Sequence, residues 1–342
     1  LPNHQRAILN FEIPSGLLDG AYEEGVELDL YAEFAADYIV RRDPEGRWCE
    51  WNGSAYVNPL AGIVGGAVYD IKEAPNGDIY VCGAFTSAGG VANTKGIARW
   101  SKANQVWQAV GNPVTGATIG TVWSMAFDAA GNLYVGGSFT ELGGVAYADY
   151  FAKYTVSTGA WSAVGSGINE QVKSVVISPE GKIYIGGYFT SASGNTNCNG
   201  IAYWNGSAWT PLGTSGLNAH VLTMKFATNN NLIIGGDFTN ANGSAGNYIC
   251  YWDGSAFHSF TELGATELSG NLVWSVDIKP NGTIIIGGDF TNAGGDPKAD
   301  YVAAWRGNNW GALQAGGVNG IVYKVYCADN GDIYASGTFT TA

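Results

Sequence analysis

Long apolar runs are missing from this chain of 342 residues, and basic residues are few. No run approaches the ~18 apolar residues that a membrane-spanning helix needs. The 16 Lys and Arg residues stand against 29 Asp and Glu residues, which gives a net charge of −13. Binding to a nucleic-acid backbone requires clustered Lys and Arg, and only Arg41 and Arg42 are adjacent. We therefore expect no nucleic acid, no anionic membrane surface and no membrane insertion among its interactions.

Side chains suited to catalysis or metal binding are also scarce. His4, His220 and His258 are the only histidines, and none has a ligand-like spacing or a nucleophile nearby. Asp237 and Asp289 lack an Asp-x-Asp-x-Asp-Gly loop, so we interpret them as turn or capping residues rather than as Ca²⁺ ligands. We expect no metal and no cofactor.

The cysteines are odd in number and widely spaced, without a Cys-x-x-Cys pair: Cys49, Cys82, Cys198, Cys250 and Cys327. This spacing does not indicate a disulfide framework. We expect buried free thiols that fill small apolar spaces, with Cys198 in a loop and more exposed.

What the chain does contain is a repeat. The string Gly-x-Phe-Thr, mostly with a second glycine before it, recurs at intervals of 49 to 54 residues, with its phenylalanine at Phe85, Phe139, Phe189, Phe238, Phe290 and Phe339. Between these strings, four β-rich runs alternate with turns such as Asn-Gly and Asp-Gly, which favour hairpins. A repeat of about 50 residues with four strands is typical of a β-propeller.

An aromatic residue follows each of the first five repeat phenylalanines by 14 or 15 positions: Trp100, Tyr154, Trp204, Trp252 and Trp305. Glycine inside a strand indicates the close approach of another group. We interpret these rings as lying over the glycine doublets between neighbouring blades.

The repeat predicts an all-β, six-bladed β-propeller with four-stranded blades. Five complete units start near residues 63, 116, 168, 217 and 271, and a sixth stops after two strands. Residues 47–60 parallel residues 200–212, so we expect the N-terminal hairpin to pair with the C-terminal hairpin and close the sixth blade. Such pairing would protect strand edges that are otherwise open.

Residues 1–35 do not fit the repeat. We interpret them as an N-terminal β arm or the remnant of a neighbouring domain, and residues 36–342 as the propeller. Because the chain begins at Leu1 rather than Met and stops within a repeat, we expect either processing or excision from a longer protein.

Gly136-Gly137, Tyr154 and Trp161 resemble the doublet, third-strand and fourth-strand markers of kelch-type propeller repeats. The fuller pattern, Gly-Gly-x-Phe-Thr-x-x-Gly-Gly followed by Ile-Ala-x-Trp-Asn-Gly-Ser-x-Trp, is more similar to delta-60-like repeats. That resemblance implies a protein of a bacterial surface, a secreted protein or a protein associated with a phage tail.

The candidate site comes from the first strands, which line the channel of a propeller. Their aligned positions read Tyr69-Asp70, Trp123-Ser124, Lys173-Ser174, Leu222-Thr223, Trp274-Ser275 and Tyr323-Lys324. If the repeats are in register, Tyr69, Trp123, Trp274 and Tyr323 lie at one level and form, with Asp70, a ligand-binding aromatic rim. Aromatic faces near polar groups suit stacking against sugar rings. The alternative is packing between blades.

No catalytic residue is predicted. Propeller hydrolases need more than one carboxylate at the channel, Asp70 is the only one among the aligned positions, and an arginine triad and a sialidase Asp box are absent. We therefore predict a non-enzymatic extracellular or virion-surface module that binds a glycan or protein on a host or cell surface, or serves a structural role. The N-terminal arm would dock to a larger assembly. A glycan-directed hydrolase or lyase and a kelch-like interaction adaptor stay open as alternatives.

Overall fold

The computed structural model describes residues 62–111, 120–214, 216–241, 244–260, 268–313 and 317–341, together with four short N-terminal strands. Regular structure in these residues is β, apart from two 3₁₀ turns at Leu142–Gly144 and Ala293–Gly295. In the same part of the chain, no helix has the length and apolarity needed to cross a membrane. The chain divides into two compact units, residues 63–262 and residues 263–342 with 1–62.

The first unit contains four antiparallel four-stranded sheets, which we call blades 1 to 4. The strands of each blade pair in chain order, as the repeat predicts. Blade 1 comprises Val68–Glu73, Ile79–Gly83, Ile97–Ser101 and Val106–Ala109; blade 2 Val122–Phe127, Leu133–Gly137, Phe151–Thr155 and Ala160–Ser162; blade 3 Val172–Ile177, Ile183–Gly187, Ile201–Trp204 and Trp209–Pro211; and blade 4 Val221–Phe226, Leu232–Gly236, Ile249–Trp252 and Phe257–Ser259. Two minor ladders join Ile63–Val64 to Ser87–Ala88 and Asn240–Ala241 to Ser244–Ala245.

The second unit contains blade 5 and a final hairpin. Blade 5 comprises Ser269–Ile278, Ile284–Thr291, Val302–Trp305 and Trp310–Gly311. The final hairpin, Val322–Cys327 and Ile333–Gly337, has Ile8–Leu9 as a third antiparallel strand. Val40–Arg42, Trp48–Trp51 and Tyr56–Val57 form a separate three-stranded sheet.

The predicted partner of the final hairpin was therefore wrong for the strands described. The segment 47–60 pairs within its own sheet, and Ile8–Leu9 takes the place beside Ile333–Gly337. Any strand can pair with an open edge through backbone hydrogen bonds, whatever its side chains. The similarity of residues 47–60 to residues 200–212 therefore did not identify the strand that pairs with the final hairpin. The rest of the predicted arm, residues 1–35, lies outside the described residues.

The core of residues 63–262 lies between successive blades. One apolar cluster joins Tyr80 and Cys82 of blade 1 to Val122 and Met125 of blade 2. Further clusters join blade 2 to blade 3 and blade 3 to blade 4. Each blade thus buries one face of its sheet against the next, and the repeat phenylalanines are all buried.

The first glycine of each doublet makes room for the next blade. A Cβ at Gly136 would lie 2.5 Å from Val172 Cγ1 and 2.9 Å from Val175 Cγ2 of blade 3, closer than side chains tolerate. In the second unit, a Cβ at Gly287 would lie 2.5 Å from Val322 Cγ1. These glycines are therefore a packing requirement.

The second glycine makes room within its own blade. A Cβ at Gly137 would overlap the carbonyl oxygen of Thr121, and a Cβ at Gly187 would overlap that of Gln171. Both oxygens belong to the residue immediately before the first strand. The doublet thus allows two close approaches, one to the next blade and one to the neighbouring strand.

The aromatic residues predicted to cover the doublets have other partners, so that interpretation was wrong. Tyr154 packs against Trp161 of its own fourth strand with ring centroids 4.9 Å apart, and Trp204 packs against Trp209 at 5.5 Å. The fourth-strand tryptophans reach the preceding blade, since Trp161 Nε1 donates to the carbonyl oxygen of Val110 at 3.2 Å. Valines of the next blade face the first glycine of the doublet, and the ring near the second glycine is that of the repeat phenylalanine, as at Gly137 and Phe139.

Four of the five cysteines are described, and all four are buried free thiols, as predicted. Cys198 was expected to be more exposed, but it is buried too. Burial raises the pKa of its thiol to about 11, because an apolar environment disfavours the thiolate. The side chain of Cys49 lies outside the described residues.

Replacing Gly136 by alanine tests the packing role of the doublet. The added methyl group has to displace Val172 of the next blade, so Gly136→Ala should lower the free energy of unfolding by about 1–3 kcal/mol. Gly311→Ala is the control, because the nearest atom to its new Cβ is 3.6 Å away. Urea unfolding followed by tryptophan fluorescence measures both. Equal effects of the two substitutions would contradict the packing explanation.

Candidate functional site

A β-bulge interrupts the first strand of every blade at the same position. In blade 2, Val122 pairs with Gly137 and Ser124 with Gly136, so Trp123 is the extra residue. The corresponding extra residues are Tyr69, Lys173, Leu222, Trp274 and Tyr323. A bulge changes the direction of its side chain and often lies beside a functional site. The four aromatic residues of the predicted rim therefore occupy equivalent bulge positions.

In residues 63–262, two of these aromatic residues contact each other across blades. The rings of Tyr69 and Trp123 have centroids 4.5 Å apart and planes tilted by 42°. Both residues are partly buried, and burial raises the pKa of Tyr69, so its phenol keeps its proton. These two rings support each other, as the packing alternative predicts, and leave part of their surface exposed.

Lys173 is the next bulge residue, in blade 3. Its Nζ lies 3.5 Å from the ring centroid of Trp123 and 4.9 Å from that of Tyr188. Burial lowers the pKa of the Lys173 ammonium to about 8, and the Glu170 carboxylate acts in the opposite direction. Ring faces attract a cation, so the two rings hold the ammonium where solvent is partly excluded.

A histidine–carboxylate pair follows in blade 4. His220 Nδ1 lies 2.7 Å from Asp237 Oδ2, and the His220 backbone N–H donates to Asp237 Oδ1 at 2.6 Å. The His220 ring lies 4.2 Å from the ring of Tyr188. The side chains of His220 and Asp237 are 44% and 31% exposed. The carboxylate accepts a hydrogen bond from Nδ1–H, which leaves Nε2 as the second ring nitrogen of His220.

Six residues thus form a continuous series of contacts, which we call the inner row: Tyr69, Trp123, Lys173, Tyr188, His220 and Asp237. The sequence did not single out Tyr188, His220 or Asp237 for this site. Only their positions in the repeat could have identified them. Tyr188 and Asp237 occupy the variable place in Gly-Gly-x-Phe-Thr, and His220 directly precedes a first strand.

In the second unit, the other two predicted aromatic residues also form a pair. The rings of Trp274 and Tyr323 meet edge to face with centroids 5.9 Å apart. Tyr323 is 44% exposed, whereas the Trp274 indole nitrogen is buried with no acceptor among the described residues. Tyr323 therefore offers an accessible ring supported by a more buried one.

Asp70 has a structural use. Its Oδ2 accepts the backbone N–H of Met125 in blade 2 at 2.8 Å, and Lys72 Nζ lies 3.4 Å from its Oδ1. Ser124 makes the same link from blade 2 to blade 3, because its Oγ accepts the backbone N–H of Val175 at 3.1 Å. The residue after each of these bulges thus ties one blade to the next. Asp70 belongs to this linkage and does not present a free carboxylate to a ligand.

The inner row combines aromatic, cationic and hydrogen-bonding side chains. No group of three or more His, Cys, Asp or Glu side chains that could hold a metal ion is found in the described part of the chain. The row offers aromatic surface, one ammonium, one imidazole and neutral phenols. Such a set can stack on a ligand ring and donate hydrogen bonds to its oxygen atoms.

Comparisons with known proteins identify the fold. Residues 163–272 match the family model described as the Rax2 C-terminal beta propeller domain, over less than half of the chain. Two structures of the extracellular domain of BT4673 from B. thetaiotaomicron, described as a one-component and as a hybrid two-component system, are 13% identical and align with a TM-score of 0.55 over 88% and 92% of this chain. A structure of U3-55K is 12% identical, with a TM-score of 0.54 over 89% of this chain and 85% of its own.

These likenesses show that the chain is a β-propeller. The chain spans only 37% and 39% of the length of the two BT4673 domains. No curated protein matches the chain.

Replacing Lys173 by methionine tests the unusual environment of its ammonium. A pKa lowered from 10.5 to about 8 corresponds to roughly 3 kcal/mol for a fully buried group, and residual exposure reduces this to about 1 kcal/mol. Lys173→Met should therefore raise the free energy of unfolding by about 1 kcal/mol at pH 7. Lys153→Met, which removes another lysine lying over a tyrosine ring, should change it by less than about 0.5 kcal/mol.

The pH dependence of the free energy of unfolding tests the direction of this effect. Between about pH 8 and pH 10.5 the unfolded chain carries the Lys173 proton more often than the folded chain, so the stability of the wild type gains with pH across this range. The advantage of Lys173→Met should therefore disappear by about pH 10.5. Urea unfolding from pH 7 to pH 10.5 measures this, and a variant less stable than the wild type at pH 7 would contradict it.

Proposed function

We propose that this β-propeller is a non-enzymatic binding module that takes its ligand at the bulge positions of the first strands. The observation that supports this most directly is the bulge itself. It recurs at one place in each first strand, and the extra residue is aromatic in four of six cases. Valine precedes the bulge in every strand, so the packing positions are uniform and the bulge positions vary.

An extracellular or surface location fits the same proposal. Two of the similar structures are described as extracellular domains, and the repeat resembles delta-60-like repeats of bacterial surface and phage tail-associated proteins. We propose attachment to a glycan or protein on a cell surface, in the setting of a cell surface or a phage tail. Docking to a larger assembly through the N-terminal residues belongs to the same proposal.

The absence of catalysis is also part of the proposal. The one carboxylate at the predicted rim, Asp70, is engaged by the backbone of blade 2. Asp237 is engaged by His220. Glycoside hydrolysis commonly uses two carboxyl groups that face one bond, and neither of these is placed for that use.

We further propose that the blades close into a ring of six. Five four-stranded sheets support this, together with a final hairpin that gains a third strand from Ile8–Leu9 near the other end of the chain. Class averages of the purified protein by electron microscopy should show six-fold pseudosymmetry. A different number of blades would refute the ring of six without affecting the inner row.

A glycan array followed by calorimetry with the strongest hits tests the binding function. Tyr323→Ala should weaken binding about fivefold, because it removes an accessible ring at a bulge position, and its exposure means that the variant should fold. Tyr203→Ala is the control, since Tyr203 also contacts another ring but lies on a third strand. Equal affinities of Tyr323→Ala and the wild type would argue against the bulge positions, and cleavage of any array glycan would overturn the non-enzymatic assignment.

A further inference from the structure

The ammonium of Lys173 is an unusual feature in so acidic a chain. The net charge is −13, yet no carboxylate of the described residues forms an ion pair or hydrogen bond with Lys173. Its ammonium instead lies over the rings of Trp123 and Tyr188. The Glu170 carboxylate acts on Lys173 through its charge, but a partly buried charge that forms no ion pair still costs folding free energy. Charged groups in such environments are common at functional sites. A negatively charged ligand from outside the chain would supply the partner that Lys173 lacks.

The two rings fix where that partner would bind. An ammonium has three N–H donors, and the faces of Trp123 and Tyr188 do not supply a lone pair to any of them. The rings restrict the position of Nζ from two sides, which reduces the entropy lost when a ligand binds. Lys173 is therefore a positioned donor rather than a freely moving surface lysine.

His220 places an imidazole on the other side of Tyr188. Its ring lies 4.2 Å from the Tyr188 ring, and its Nδ1 is held by Asp237. With Nδ1 engaged, Nε2 is the nitrogen available to a ligand. Burial, and then the charge of Asp237, raise the pKa of Tyr188, so its hydroxyl stays a neutral donor. An ammonium, an imidazole and a phenol thus lie together in the inner row.

We infer that Lys173, with His220 beside it, receives an acidic saccharide through the sugar's carboxylate, an inference that rests on the proposed binding function. The carboxylate accepts a hydrogen bond from Nζ, and His220 Nε2, whose partner nitrogen Nδ1 donates to Asp237, accepts one from a sugar hydroxyl. The rings of Trp123 and Tyr69 contact the C–H face of the sugar. A saccharide is favoured over an acidic peptide because aromatic residues adjoin the Lys173 ammonium on the side of Trp123, and flat ring faces suit a pyranose.

Matched pairs of saccharides test this inference. Tetragalacturonic acid and its methyl ester differ in charge but not in ring stereochemistry, and 3′-sialyllactose and its methyl ester form a second pair. Calorimetry at pH 7 should show the acid form bound at least about tenfold more tightly than the neutral form. Lys173→Met should abolish this preference, and Lys153→Met should retain it, because Lys153 lies over Tyr134 on a different strand.

Raising the pH supplies an independent readout. The pKa of Lys173 is lowered to about 8, so the affinity for the acid form should fall several-fold between pH 7 and pH 9, while that for the ester should not change. The titratable groups linked to Lys173 are Glu170 and Tyr188, then His220 and Asp237 beyond Tyr188, and Tyr69 beyond Trp123. The variant His220→Asn, measured in parallel, separates the contribution of the imidazole from that of the ammonium.

The outcomes separate this inference from the proposed function. If acid and neutral saccharides bind equally, the carboxylate subsite is wrong and the binding module stands. If Lys173→Met keeps the preference, the carboxylate binds elsewhere and the inference is overturned. If hexa-aspartate binds as tightly as the acidic sugars and loses affinity in Lys173→Met, the ligand is an acidic peptide and the saccharide assignment fails. If no array glycan and neither saccharide pair binds at millimolar concentration, the glycan-binding function fails as well.

Discussion

The space left by a missing side chain determines how neighbouring blades pack. At Gly136 the first strand of the next blade approaches so closely that Val172 occupies the place of a Cβ. At Gly137 the carbonyl oxygen before the blade's own first strand does the same. Both approaches occur where the first strand bulges. A single pair of glycines therefore explains both the close spacing between blades and the room for the bulge.

The inner row is a consequence of that bulge. A regular strand would turn the residue after Val172 in a direction set by the pleat, whereas the bulge adds a residue and changes that direction. Lys173 thereby reaches the rings of Trp123 and Tyr188 instead of an apolar interface. The neighbouring serine or aspartate positions then tie one first strand to the next through backbone N–H groups. Adjacent residues thus have different roles: the bulge residue contributes to the inner row, and the residue after it links two blades.

Much of the blade could be predicted from the sequence, because turns and strand periodicity are local. The register of the aromatic rim could be predicted as well, since Tyr69 and Trp123 occupy equivalent places in the repeat. The pair of His220 and Asp237 was missed because 17 residues separate them and a bulge aligns them. The partner of the final hairpin was missed because backbone pairing carries little side-chain information, and Ile8–Leu9 has no resemblance to a repeat.

The tie that Asp70 and Ser124 provide has a mechanical consequence. Each uses a side-chain oxygen of one blade to hold a backbone N–H of the following blade, at 2.8 Å and 3.1 Å. These bonds lie next to the bulge, on the strands that contribute Trp123 and Lys173 to the inner row. A force that separated two blades would have to break them before it could spread those two side chains apart. The inner row is thus braced by its nearest neighbours in the chain, and tension applied to it would be carried by the backbone rather than by loops.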